Sequence, residues 1–445
     1  MAGISLQLRR MVRGNTAFSW VRGGGYALII STGPWVLSMV AVALVAKVLG
    51  GDGSEHAAFF ASVSYSQAAS QILFMPLLLV FSRHLADGIY LRRPEVLGES
   101  LVAALLVTPL VAYPATLLFP GNDTALHLTM INGANAFAGA CLGACHRFLR
   151  VVGAYAAGYA ISCLGVLAAL AHGGSNADCV GGFLAGQCAL FALLVAGLRT
   201  ELPLRRPVDF TWLARLWREP ALSLGGLGLA AGLWCEKFAY WFFAPDRVVT
   251  ELGIGYCPSY DLPMFLAMLS ATPGIAFFYL QLETGFADAM ERLTDRLSFG
   301  APLAEIDAAH AELRTAAVRC LAMLARAQAG ITLFGLLFAE AVLEGTGVGA
   351  VQTGVWRVAF FAVFFLVLFV CVQALLFYVN ATRQAARCSF CLLALNLALT
   401  AVFLRMGPAY HGAGFLIASA ASLLLSLFFL GRAITRLPMR MFSGN

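Results

Sequence analysis

Residues 221–243 read ALSLGGLGLAAGLWCEKFAYWFF. The run is long enough to cross a bilayer as a helix, which takes roughly 20 apolar residues. Near its end stand Glu236 and Lys237, side by side, and Lys237 is one of only two lysines in the chain. A charge at bilayer depth costs on the order of 2.5–3.5 kcal/mol on insertion scales, so intramembrane charges turn to a polar interior or a partner. Successive helical residues point about 100° apart. Glu236 and Lys237 therefore cannot face the same way, and at least one of them is expected to meet another helix. The run follows the longest polar stretch in the middle of the chain, residues 199–220 (RTELPLRRPVDFTWLARLWREP). It therefore opens a second half.

The rest of the chain has the same character. Of its 445 residues 60% are hydrophobic and 12% charged, with mean hydropathy +0.82, which excludes a soluble domain and marks a multi-pass membrane protein. Hydropathy and length give about twelve spans. The first six cover 26–49, 59–81, 101–119, 125–145, 151–171 and 180–198. The second six cover 221–243, 262–282, 327–343, 355–379, 388–406 and 412–430. The expected fold is all-α and integral to the membrane. A bundle over 26–198, a linker over 199–220, a second bundle over 221–432 and a tail over 433–445 make up its domains. Residues 1–25 place Ile4, Leu8, Met11 and Val12 at helical spacing with Arg9, Arg10 and Arg13 between them, an amphipathic pattern suited to the bilayer surface.

Charge sets the orientation. With both termini cytoplasmic, 24 of the 29 Lys+Arg fall on the cytoplasmic side; the other five are Lys47, Lys237, Arg247, Arg357 and Arg405. The opposite loops are short and acidic or neutral, as the positive-inside rule requires. The formal charge of +6 does not argue for nucleic acid, because the basic residues lie in short clusters between apolar spans. A polar insert at 283–326 carries Ile306, His310, Leu313, Ala317, Cys320, Leu321 and Leu324 on one helical face. It reads as a helix lying on the cytoplasmic surface, or as a docking site for a partner there.

Candidate pathway residues cluster in and around 221–243. Glu236 and Lys237 read as lining a conduction path, with a structural ion pair as the plainer alternative. Trp234, Phe238 and Trp241 share a face, with Tyr240 beside them. They suit an interfacial aromatic belt, or a platform for sugar rings. Glu340, at similar depth in the ninth span, is a candidate partner for Lys237. Gly33 and Pro34 in the first span, Pro76 in the second and Pro273 in the eighth are candidate hinges. The interrupted second and eighth spans form a faint internal repeat of the kind found in transporters. Small-residue pairs such as Gly182 and Gly186 suit close helix packing. The chain has no phosphate-binding loop, no paired metal ligands in its spans and no loop long enough for a catalytic domain. The expectation is a non-enzyme with no metal or cofactor. Its 11 cysteines, including Cys388 and Cys391 in a lone CxxC, read as packing residues.

Three strings carry a resemblance: MAGISLQLRR at the start, STGPWVLS at 31–38 and YDLPMFLAMLSATPGIAFFYLQLETGFADAM at 260–290. They resemble the PelG family of Pel exopolysaccharide inner-membrane transporters, with Gly285 and Glu236 as departures from the family pattern. The resemblance implies the multidrug/oligosaccharidyl-lipid/polysaccharide exporter fold, two six-helix bundles around a central cavity. It implies movement of the amino-sugar-rich Pel polymer across the bacterial inner membrane for the biofilm matrix. Implied partners are a cytoplasmic glycosyltransferase, a cyclic-di-GMP receptor protein and a small membrane protein, beside the polysaccharide and the lipid bilayer. The alternatives are an ion-coupled small-molecule antiporter of the same fold and a non-transporting scaffold for a polysaccharide synthase. A membrane-embedded transferase ranks last. The scarcity of cations in the spans points to a neutral or cationic sugar rather than a pyrophosphate-linked lipid.

Overall fold

The computed structural model describes residues 57–118, 123–199, 208–340 and 350–442, with 33, 36–38, 40–42, 44 and 45 from the first span. The amphipathic N-terminal segment, Pro34 and Lys47 lie outside the described residues. Over its described residues each predicted span after the first is mostly helical, and nine helical segments among the described residues are long and apolar enough to cross a membrane. The only strands among these residues are Val248–Val249 (β1) and Gly255–Tyr256 (β2), a small antiparallel hairpin that the sequence reading did not anticipate. The chain divides into two compact units, Gly33–Pro258 and Ser259–Asn445.

The Gly33–Pro258 unit contains α1 (Ala57–Tyr90), α2 (Glu95–Ala112), α3 (Asp123–Ala144), α4 (Phe148–Ala171), α5 (Asn176–Leu198) and α6 (Pro220–Phe243). Helix α6, the run that opened the sequence reading, packs here against α1. The sequence reading had assigned it to the second bundle. Glycine explains the contact: a Cβ at Gly226 would lie 3.0 Å from the Met75 carbonyl oxygen and 3.2 Å from Pro76 Cα. Only a glycine lets the two backbones cross so closely. Helices α4 and α5 meet the same way, since a Cβ on Gly165 or Gly182 would strike the other residue's carbonyl. Ser175 starts α5 with a reciprocal capping box, its amide donating to Asp178 Oδ2 at 2.8 Å. The connector before α6 is pinned by Trp212, which is fully buried against Phe81 and Phe137.

The Ser259–Asn445 unit runs through α7 (Pro258–Leu269), α8 (Ala271–Gln281), α9 (Ala287–Ser298), α10 (Leu303–Leu337), α11 (Ala350–Tyr378), α12 (Thr382–Met406), α13 (Ala413–Thr435) and α14 (Leu437–Phe442). The eighth span is broken twice. It breaks at Ser270 between α7 and α8, and again at a π-helical turn over Leu282–Phe286. The insert at 283–326 is not a separate surface helix. Its first part is α9, continuing the eighth span, and its second part belongs to α10, a single helix of 35 residues that runs on into the ninth span as far as Leu337. Gly300, at φ +65°, turns the chain between them. Arg292 grips Glu312 with two hydrogen bonds (2.6 and 3.0 Å), and Arg296 reaches Glu305 at 2.6 Å. The apolar face found in the sequence is the side that packs: Ile306, Leu313, Ala317, Cys320 and Leu324 are all buried.

Candidate functional site

Glu236 and Lys237 find each other. Glu236 is fully buried, and its Oε1 lies 3.2 Å from Lys237 Nζ, whose side chain is 14% exposed. Adjacent helical positions diverge at Cβ, and the long lysine stem bends back to close the gap. Lys237 Nζ also stands 5.1 Å from the centre of the Trp234 ring. A cation over an indole face gains about 0.5–2 kcal/mol, more as water is excluded. Trp234 in turn donates its ring N–H to Gln71 Oε1 on α1 at 3.0 Å. The charged pair is thus tied through one indole to the helix on which α6 rests.

The remaining aromatics have structural work. Trp241 stacks on Tyr65 of α1 with ring centres 4.2 Å apart and planes 17° from parallel. Phe238 meets the same tyrosine edge to face at 5.8 Å. Tyr65 donates its hydroxyl to the Gly255 carbonyl of the hairpin at 3.0 Å. Trp241 and Tyr240 are buried, at 3% and 1% exposure, so the proposed sugar platform is reduced to Trp234. Glu340 is bound elsewhere: it pairs with Arg357 at 3.0 Å, and both side chains are more than half exposed. Of the candidate hinges, Pro76 sits inside α1 at the Gly226 crossing, and Pro273 lies in the first turn of α8 just after the break at Ser270. At Gly33 a Cβ would make only ordinary contact with Val152, at 3.4 Å.

Beside Gln71 opens a cavity of about 140 Å³ that the sequence reading missed. Gln67, Ser70 and Gln71 of α1, Asn132 and Asn135 of α3 and Gln187 of α5 supply its polar wall. Phe74, Tyr155 and Tyr159 supply rings. A single water needs roughly 10–15 Å³, so the space admits a much larger guest. The amides are held in position by their neighbours. Asn132 Nδ2 donates to Gln67 Oε1 at 3.5 Å, and Asn135 Nδ2 to the Gln187 carbonyl at 3.3 Å. Gln187 Nε2 donates to Ser162 Oγ at 3.1 Å, and that hydroxyl donates to the Phe183 carbonyl at 3.0 Å. Asn135, only 3% exposed, is left with an Oδ1 that has no partner. An orphaned buried acceptor costs about 1–3 kcal/mol, a cost that a hydroxyl-bearing guest would relieve. The signal was present in the sequence as Gln67 and Gln71 at i,i+4 and Asn132 and Asn135 at i,i+3 within apolar runs.

The site therefore holds neutral donors and acceptors around the cavity and one buried ion pair, linked through Gln71 and Trp234. The sequence profile of the PelG family, described as "Putative exopolysaccharide Exporter (EPS-E)", matches residues 1–442. No curated protein matches the chain. Several solved structures share its fold. An outward-facing multidrug resistance MATE transporter of the MOP superfamily aligns with TM-score 0.64 and 15% identity, over 93% of this chain and 94% of its own. A MATE protein in a bent conformation aligns with TM-score 0.65 and 14% identity, over 100% and 99%. A MOP-superfamily transporter from Pyrococcus furiosus Vc1 (DSM3638), described as having a binding pocket of reverse polarity, gives TM-score 0.58 and 14% identity, over 93% and 94%. At these identities the likeness shows the fold, an all-α MATE-like membrane transporter architecture.

Proposed function

The chain belongs to the PelG family of exopolysaccharide exporters, and from that premise we propose that it carries the amino-sugar-rich Pel polymer across the bacterial inner membrane. Membrane transport follows from the family and the fold; the identity of the polymer and its place in the biofilm matrix are the finer reading. The observation that carries it is the continuous contact from the Glu236–Lys237 pair through Trp234 and Gln71 to an amide-lined cavity. Buried charges inside a membrane bundle mark transport paths. Amides and ring faces are the groups that bind sugars without holding them too tightly to release. In this reading both termini and the α9–α10 hairpin are cytoplasmic, where the glycosyltransferase, the cyclic-di-GMP receptor and the small membrane protein of a synthase would meet the exporter.

Glu236→Gln tests the pathway role. It keeps the shape and removes the charge, and Lys237 keeps its place over the Trp234 face. Secretion of polymer is expected to fall at least tenfold while membrane abundance stays within twofold of wild type. Unchanged secretion would return the pair to a purely structural role. Loss of secretion from a variant that still recruits its synthase partners separates transport from scaffolding.

A further inference from the structure

The amide-lined cavity in the Gly33–Pro258 unit points to a subsite for one uncharged sugar unit, and the geometry assigns it a preference for neutral over ammonium- or carboxylate-bearing rings. The inference rests on the transport reading above and narrows the neutral or cationic sugar that the sequence leaves open. Among the described residues, no charged side chain lines the cavity. Its polar wall is built from Gln67, Gln71, Asn132, Asn135 and Gln187, each with a carbonyl that accepts and an amide nitrogen that donates. A sugar hydroxyl also does both, so each can be matched in either sense.

An ammonium group is different. It presents three donors and no acceptor, and its charge has no carboxylate in the lining to neutralise it. A carboxylate or phosphate fares no better, since it needs charge-assisted donors. The cation linked to Gln71 through Trp234 is Lys237, which stands over that ring and is already paired with the buried Glu236. Asn135 Oδ1 supplies the specific anchor: it is buried and without a partner, and a hydroxyl donor is the group it lacks. Tyr155 and Tyr159, one turn apart on α4 with ring centres 6.1 Å apart, give an apolar wall for the C–H face of a pyranose.

The test uses the full-length protein in lipid nanodiscs and three oligosaccharides of equal length: a neutral N-acetylhexosamine tetramer, its deacetylated amino counterpart and a uronate tetramer. Binding is read by calorimetry and by quenching of tryptophan fluorescence. Wild type is expected to bind the neutral tetramer at least tenfold more tightly than either charged one. Asn135→Asp, which places a carboxylate at the anchor, is expected to reverse the order in favour of the amino tetramer. Asn132→Asp, at a half-buried position of the same wall, repeats the test should the first variant fold poorly, with the thermal midpoint as the check on folding. Equal binding of the three, tighter binding of a charged one, or no reversal in a folded aspartate variant overturns the inference, as does binding of none. Polymer secretion by the same strains is scored separately. If secretion persists while the preference is absent, the subsite is wrong and the transport reading stands; if wild type secretes no polymer, the transport reading itself fails.

Discussion

Two regions of this molecule hold opposite charges together, and they do so under different rules. On α6, Glu236 and Lys237 are adjacent in sequence, 0% and 14% exposed, and roofed by an indole. On the α9–α10 hairpin, Arg292 and Glu312 are far apart in sequence and 51% and 50% exposed, and Arg296 and Glu305 are 56% and 47% exposed. An exposed pair is worth about 0–1 kcal/mol, because water solvates both partners nearly as well when they separate. A buried pair adds little net stability over an apolar core, yet removing one partner costs about 3–5 kcal/mol, because the other charge is stranded. The hairpin pairs therefore trim a surface that apolar packing already holds. The α6 pair is a commitment: it adds little to stability while intact, and breaking it is costly.

The sharpest way to break that contrast is Lys237→Met. It leaves the buried Glu236 carboxylate without its ammonium, and a loss of about 3–5 kcal/mol is expected, read as a marked drop in thermal midpoint in detergent. Adding Glu236→Gln to it should restore most of the midpoint without restoring secretion. A double variant as unstable as the single one would mean that the pair is ordinary packing. The crossing beneath the pair comes next in size. Gly226→Val places a side chain within about 3 Å of Leu79, the Met75 carbonyl and Pro76, and overpacking of this kind costs about 1–3 kcal/mol. The expected signature is a lowered midpoint together with weakened export, since α6 is displaced from Gln71; a normal midpoint would show that the two helices part easily. The smallest effect belongs to the hairpin. Arg292→Ala should cost under about 1 kcal/mol, and the cost should shrink further in 1 M salt, where the screening length is about 3 Å. A large, salt-insensitive loss there would erase the distinction between the two regions.

How much of this was legible in the sequence follows the same physical divide. The spans could be read because a bilayer imposes a long, uniform requirement on every residue of a helix, and the helix over 355–379 satisfies it without a single charge inside 358–379. The Glu236–Lys237 pair could be found because charges in such a setting are conspicuous. That they bind each other was open in the sequence, where an ion pair stood only as the plainer alternative, since the 100° offset describes Cβ directions and not the reach of a lysine. The stacking of Trp241 was hidden for a related reason: nothing in 221–243 reveals that Tyr65, far away in sequence, covers its face. The cavity could not be assembled from the sequence because its lining comes from four helices: two amides each from α1 and α3, one from α5 and two tyrosines from α4. A lone glutamine in a span is unremarkable; only their convergence makes a site. The insert was read as a surface helix because its charges alternate with an apolar face, a pattern equally suited to a helix that continues a span and packs on a neighbour.

That continuity has a mechanical consequence. Helix α10 runs unbroken for 35 residues, which at 1.5 Å per residue is a rod of roughly 50 Å. Its hairpin mate α9 is joined to the eighth span by the π turn at Leu282–Phe286, where the hydrogen-bond ladder has slipped by one residue. One leg of the hairpin is thus stiff and the other is articulated. Any load applied at the Gly300 tip would travel down the stiff leg into the ninth span as a tilt, while the articulated leg yields at its joint. The hairpin has the construction of a lever arm, with the charged stretch 303–326 as its handle and the apolar residues from 327 onward as its short end.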